Sequence, residues 1–147
     1  MRRYAAAAAT MGVMMLGAVA APAQEAAPSL ATVLQDNTLA ADMFLPRERG
    51  GNSLDRVMFQ AYLRANGTAL VRRWDAPHDA YTAPAEAHWS VTGSTLCMNF
   101  PGFEVTGDIC IELHVWGPRI AGNSTGTGPF ALLDGNIEPG NSLVATR

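Results

Sequence analysis

The stretch WSVTGSTLCMNFPGFEVTGDICIELHVW, residues 89–116, decides the fold. Gly93-Ser94 suits a two-residue type II′ turn, whose first central position takes glycine. Closing the chain there pairs Val91 with Leu96 and Trp89 with Met98. With Cys97 and Cys110 bonded and directly opposite on the next two strands, Leu96 meets Ile111, Met98 meets Ile109 and Phe100 meets Gly107. The turn and the cysteine pair are unrelated features, and they give one register. In that register Trp89, Val91, Leu96, Met98, Phe100, Ile109, Ile111, Leu113 and Val115 share one face. His88, Ser90, Thr92, Thr95, Cys97, Asn99, Asp108, Cys110, Glu112 and His114 share the other. A slip of one residue would mix the two sets. The stretch therefore predicts a three-stranded antiparallel meander.

The bonded cysteines follow from the amino terminus. Arg2 and Arg3 precede an uncharged run from Ala5 to Ala20, and Ala21-Pro22-Ala23 is a small-x-small site. This is the pattern of a secretory signal over residues 1–23, cleaved before Gln24. Residues 24–147 then form a single β-rich domain. No later stretch is apolar enough to span a bilayer, and no cysteine stands near the cleavage point to carry a lipid. The expectation is a periplasmic or secreted protein with no stable membrane insertion after cleavage. In an oxidising compartment the two cysteines are most simply one disulfide. A metal pair would need further ligands, and no C-x-x-C is present.

The ten basic residues are all arginine and stand against thirteen acidic ones, a formal charge of −3. Removing Arg2 and Arg3 with the signal leaves −5. That balance argues against nucleic-acid or anionic-membrane partners, which need positive potential.

Outward from the meander, Ser29 is an N-cap for a helix of about two turns through Leu30, Val33 and Leu34. Thr38 to Leu45 reads as a strand, and the Gly-rich, charged stretch Pro46 to Asn52 as a loop. Asn66-Gly67 is the preferred pair for a type I′ hairpin turn. Closing it there pairs Leu63 with Leu70 and Phe59 with Trp74, on one face with Val57 and Ala61. Arg72 then falls on that apolar face, opposite Ala61. Either it snorkels at the sheet edge or the register contains a bulge. Asp75 to Glu86 reads as a long connection and Gly117 to Gly128 as a Gly/Ser/Thr loop. Phe130 to Leu133 reads as a short strand, Asp134-Gly135 as a turn and Asn141 to Thr146 as a last strand. Short strands with frequent turns predict a mainly β domain: a small antiparallel sandwich or barrel with a short N-terminal helix and one disulfide.

Few residues suggest chemistry. His78 and Asp79 in the long connection suit a metal or proton transfer. His88, Asn99 and Asp108 form a row across three strands, with His114 on the same face. At strand spacing, His88 and Asp108 stand about 9–10 Å apart, which predicts no direct hydrogen bond. Ser90 shares the face with His88, but no G-x-S-x-G supports a serine nucleophile. The loop 122–128 lacks the lysine of a phosphate-binding loop. Phe103, in Pro101-Gly102-Phe103-Glu104, is either a contact for a partner or a cap on the core. No residue set implies a metal or cofactor.

Several features together resemble small exported proteobacterial β-domain proteins of uncharacterised function. They are a short helix leading into Asn37-Thr38-Leu39, the Asn66-Gly67 hairpin, Trp89-x-Val91, Leu96-Cys97, Cys110 and Gly135-Asn136. His88 stands where those proteins often carry glycine. The resemblance implies a periplasmic β-sheet domain and transfers no catalytic residue.

Three functions fit. The first is a binding module for an envelope protein partner or a small ligand, with Pro101, Phe103 and Glu104 as a candidate contact loop. The second is a small hydrolase-like or metal-dependent enzyme using His78, Asp79, His88 and His114. The third is an envelope structural or stress protein. The signal reading predicts that the exported protein begins at Gln24. Intact-mass measurement checks this, and a chain retaining residues 1–23 would refute it.

Overall fold

The computed structural model describes residues 26–46, 53–126 and 128–144. The signal over 1–23 and most of the loop 46–52 lie outside the described residues. Among the described residues, a short helix α1 (Leu30–Leu34) leads into nine strands. These are β1 (Asn37–Pro46), β2 (Leu54–Leu63), β3 (Thr68–Asp75), β4 (Ala80–Tyr81), β5 (Ala85–Thr92), β6 (Thr95–Met98), β7 (Ile109–Trp116), β8 (Arg119–Ser124) and β9 (Leu132–Glu138). Every ladder is antiparallel. Apart from the two-residue β4, each strand pairs with its chain neighbours, and β1 pairs with β9. The result is a closed eight-strand barrel, not a sandwich.

The predicted meander is present. Val91 pairs with Leu96 and Trp89 with Met98, and Leu96 pairs with Ile111 and Met98 with Ile109. Gly93 takes φ +61. Cys97 is bonded to Cys110, with Cα atoms 4.0 Å apart. The ladder ends at Met98–Ile109, so the expected pair of Phe100 with Gly107 does not form. Trp89, Leu96, Met98, Ile109, Ile111 and Leu113 are buried in the barrel, while the disulfide lies half-buried on its outer wall. Val115, expected on the core face, is exposed near the strand end.

The β2–β3 hairpin departs from expectation by one residue. Leu63 pairs with Ala69 and Phe59 with Arg73. Asn66 does not take positive φ. Its Oδ1 instead accepts from the Thr68 N–H at 3.0 Å and from the Thr68 hydroxyl at 2.7 Å. Only Gly67 is left-handed, at φ +83. The Gly67 N–H donates to the Arg64 carbonyl at 3.1 Å, and the Arg64 N–H to the Thr68 carbonyl at 2.9 Å. This is a three-residue loop with a glycine bulge, and the extra residue reverses the faces of β3. Ala69 and Val71 point inward, and Leu70 and Trp74 do not. Arg72 therefore lies outside, so the bulge resolves its placement.

Outside, Arg72 works as a clamp. Its Nε and Nη2 donate to Gln60 Oε1 at 2.9 and 2.6 Å, and Nη1 donates to the Leu143 carbonyl at 3.3 Å. The guanidinium also lies 4.7 Å from the Tyr81 ring centre. It ties β2, β4 and the C-terminal tail together. That tail is not the expected strand in its described part. It crosses the outer wall through Thr38, whose hydroxyl donates to the Gly140 carbonyl and accepts from the Ser142 N–H.

Two readings of glycine-rich segments are overturned. Residues 119–124, expected as loop, form β8, and Asp134-Gly135, expected as a turn, lie inside β9. The reason is close approach. A Cβ at Gly122 would collide with the Glu112 carbonyl and the Ile111 and Leu113 side chains. One at Gly135 would collide with the Ala40 carbonyl and with Ala41. Small barrels bend sharply, and glycine at these inward positions lets neighbouring strands close. The connection 75–84 carries a 3₁₀ turn (Ala76–His78) and β4.

The two ends of the barrel differ. At one end, α1 is capped by Ser29, whose side chain accepts from the Thr32 N–H, and it buries Leu34. The short turns 64–67, 93–94 and 117–118 share this end. The connections 76–84, 99–108 and 128–131 share the other, with the end of β1 at Pro46 and the start of β2 at Leu54. Val at Gly135 is expected to destabilise by at least about 2 kcal/mol through overpacking. Ala at Gly128, where a Cβ would make only ordinary contact with the Asp108 carbonyl at 3.9 Å, should stay within about 0.5 kcal/mol of the parent. Chemical denaturation measures both, and equal stability of the two variants would refute the close approach.

Candidate functional site

The end with the long connections carries a cleft of about 430 Å3. Its walls include Leu45 from β1, Val57 from β2, and Phe103 and Val105 from the 99–108 loop. Phe130 adds to it from the 128–131 connection, and Arg73 from β3. Phe103 is not an outward contact. It folds back edge-on to Phe59, with ring centres 6.0 Å apart, and 5.2 Å from Phe100. Phe59 and Phe100 are themselves perpendicular at 5.3 Å. Of these rings Phe103 lines the cleft and rests on the other two, so the Pro101-Gly102-Phe103-Glu104 loop caps the core with its aromatic residue. Its neighbour Glu104 is exposed.

Arg73 enters the cleft because β3 alternates from the bulge: Ala69, Val71 and then Arg73 point inward. Among the described residues, no carboxylate lies within ion-pair distance of it. Two other arginines of β2 and β3 are committed elsewhere. Arg72 is the outer clamp. Arg56 donates to Asp42 Oδ2 at 2.7 Å, and this hydrogen bond, followed by the Asp42 charge, raises the guanidinium above its ordinary pKa.

The polar candidates from the sequence are dispersed. The row His88, Asn99 and Asp108 exists, and contrary to expectation His88 and Asp108 are in direct hydrogen-bond contact. His88 Nε2 and Asp108 Oδ1 are 2.9 Å apart, and Asn99 Oδ1 accepts from the His88 N–H at 2.7 Å. Strand spacing describes paired backbones, whereas the β6–β7 ladder ends at Met98–Ile109 and Asp108 lies beyond it, within reach of the His88 ring. The pair is open to solvent, with 63% and 42% of the two side chains exposed. Among the described residues, no hydrogen bond joins Ser90 to His88. His78 Nδ1 lies 2.7 Å from Asp75 Oδ2, so its partner is Asp75 rather than Asp79. Asp79 takes φ 51 and closes the 3₁₀ turn through its N–H. His114 stacks on Trp116 with ring centres 6.1 Å apart. It lies six residues beyond Asp108 along the chain, roughly 20 Å at strand rise. The three histidines thus have three separate local partners. Among the described residues, no group of three or more His, Cys, Asp or Glu is placed to hold a metal.

Sequence reading missed the cleft. The signal for it was Arg72 falling on an apolar face: shifting β3 by one residue to remove that conflict turns Arg73 inward. No family model matches the chain, and no curated protein matches it. Ala at Phe103 is expected to cost about 2 kcal/mol through lost aromatic packing. Ala at His88 should cost less than about 1 kcal/mol, as for an exposed pair. Urea denaturation of both variants checks this, and the reverse ranking would refute the placement of Phe103.

Proposed function

We propose that the protein is an exported small-ligand-binding module whose site is the cleft at the long-loop end of the barrel. The cleft itself carries the reading. Ligand pockets typically span about 300–1,000 Å3, are mostly apolar with a few placed polar groups, and favour the mouths of β-barrels. An eight-strand barrel is just wide enough to hold one small ligand where side chains do not fill it. Here α1 packs at one end, and Phe103, resting on Phe59 and Phe100, bounds the cleft at the other.

The periplasm or cell exterior is the compartment that fits. The Cys97–Cys110 disulfide favours an oxidising environment, in line with the signal-like residues 1–23. Among the described residues no helix is long and apolar enough to cross a membrane. The resemblance to exported β-domain proteins points the same way.

A protein-partner reading has one observation of its own, at the opposite end of the barrel. Trp116 is 60% exposed at the β7–β8 turn, beside exposed Val115. One titration separates the two readings. Adding 1-anilinonaphthalene-8-sulfonate to the ¹⁵N-labelled protein should shift amides of Phe103, Val105 and Phe130 and saturate at one molecule per chain. Phe at Val57, which fills the cleft, should weaken that binding at least tenfold. Shifts confined to the Trp116 turn, or none at all, would reject the mouth as the site.

A further inference from the structure

The chemistry around Arg73 narrows the ligand class. The β2–β3 ladder ends at Phe59–Arg73, although β2 continues to pair with β1 as far as Leu54. Above that pair the two strands part. Val57 and Arg73 line both the inner cleft and a second hollow of about 450 Å3 against the 3₁₀ turn. Arg73 therefore stands in a split of the barrel wall, at the side of the mouth. Gly102 passes over it: a Cβ on Gly102 would lie 3.9 Å from Arg73 Nε. Loop backbone without a side chain leaves the guanidinium open to the cleft.

The charges at the mouth are unequal. Asp55 is already engaged, and Glu104 is exposed at the rim. Among the described lining residues, Arg73 is the single cation, and it has no acidic partner there. A guanidinium offers a planar fork that matches a carboxylate or sulfonate with two parallel hydrogen bonds. Apart from Thr106, the remaining side chains of the walls are aromatic and aliphatic.

We propose that the cleft takes a small organic anion, its single acidic group seated on Arg73 in the split between β2 and β3 and its aromatic or branched apolar body against Phe103 and Phe130. This rests on the ligand-binding reading of the same cleft and adds the class of ligand. The acidic rim disfavours a second negative charge at the outer end of the molecule, so a monoanion fits better than a dianion.

Three molecules of one shape test it: 3-phenylpropionate, 3-phenylpropanol and 3-phenylpropylamine, each titrated into the ¹⁵N-labelled protein. The propionate should bind at the mouth at least tenfold more tightly than the alcohol, and the amine most weakly. Arg73→Gln should remove the advantage of the propionate and leave the alcohol unchanged. Phe130→Ala, at an exposed position, should weaken all three, and together with the ranking on the parent protein it decides the matter if Arg73→Gln does not fold. Equal binding of propionate and alcohol, or a propionate affinity unchanged in Arg73→Gln, would overturn the assignment of Arg73 while leaving the cleft as a binding site. Failure of all three to perturb the mouth would overturn the binding reading as well.

Discussion

Trp89 holds the turn on which both the outer clamp and the inner cleft depend. Its backbone N–H donates to the Gly67 carbonyl at 2.9 Å, and its indole N–H reaches the carbonyls of Arg64 and Thr68 at 2.9 and 3.1 Å. The Gly67 carbonyl gains its donor this way, and the Arg64 and Thr68 carbonyls, already bonded within the turn, share the indole N–H as a second donor. These bonds also fix the turn in its bulged form. Of the two adjacent arginines in β3, one must face each side of the sheet, and the bulge decides which. Arg72 goes outside and fastens the C-terminal tail, and Arg73 goes inside and gives the cleft its charge.

The mainly β class and the meander were legible in the sequence, whereas the choice of a closed barrel over a sandwich was not. Residues 89–116 carry strict alternation, a turn with one strong solution and a covalent link between opposite positions, so three independent constraints meet. The β2–β3 hairpin offers only Asn66-Gly67, and that dipeptide supports two turns. Asparagine serves one with its backbone and the other with its side chain. The conflict at Arg72 marked the wrong choice, but only the indole of Trp89, more than twenty residues away, selects the right one.

Residues 119–124 and 134–135 were illegible because glycine carries two opposite messages. In a flat sheet it marks a loop or turn. In a small, tightly curved barrel Gly122 and Gly135 mark the places where strands approach too closely for a side chain. Nothing local distinguishes the cases, since the colliding groups, Glu112 and Ala40, come from neighbouring strands. The polar row at His88 was legible as a row. Its hydrogen bond was not, because side-chain reach, rather than backbone spacing, closes the gap to Asp108.

The joining of β1 to β9 bears on the order in which this chain gains its structure. The bond from Thr38 to the Gly140 carbonyl spans 102 positions, and the seam it reinforces is the last to become available to a chain delivered amino terminus first. Until then β1 and β9 each present a bare hydrogen-bonding edge, the kind that joins stray chains edge to edge. Non-local pairing of this sort is slow to form. The local hairpins, and above all the disulfide-linked meander, have to persist as a half-open sheet until the tail arrives.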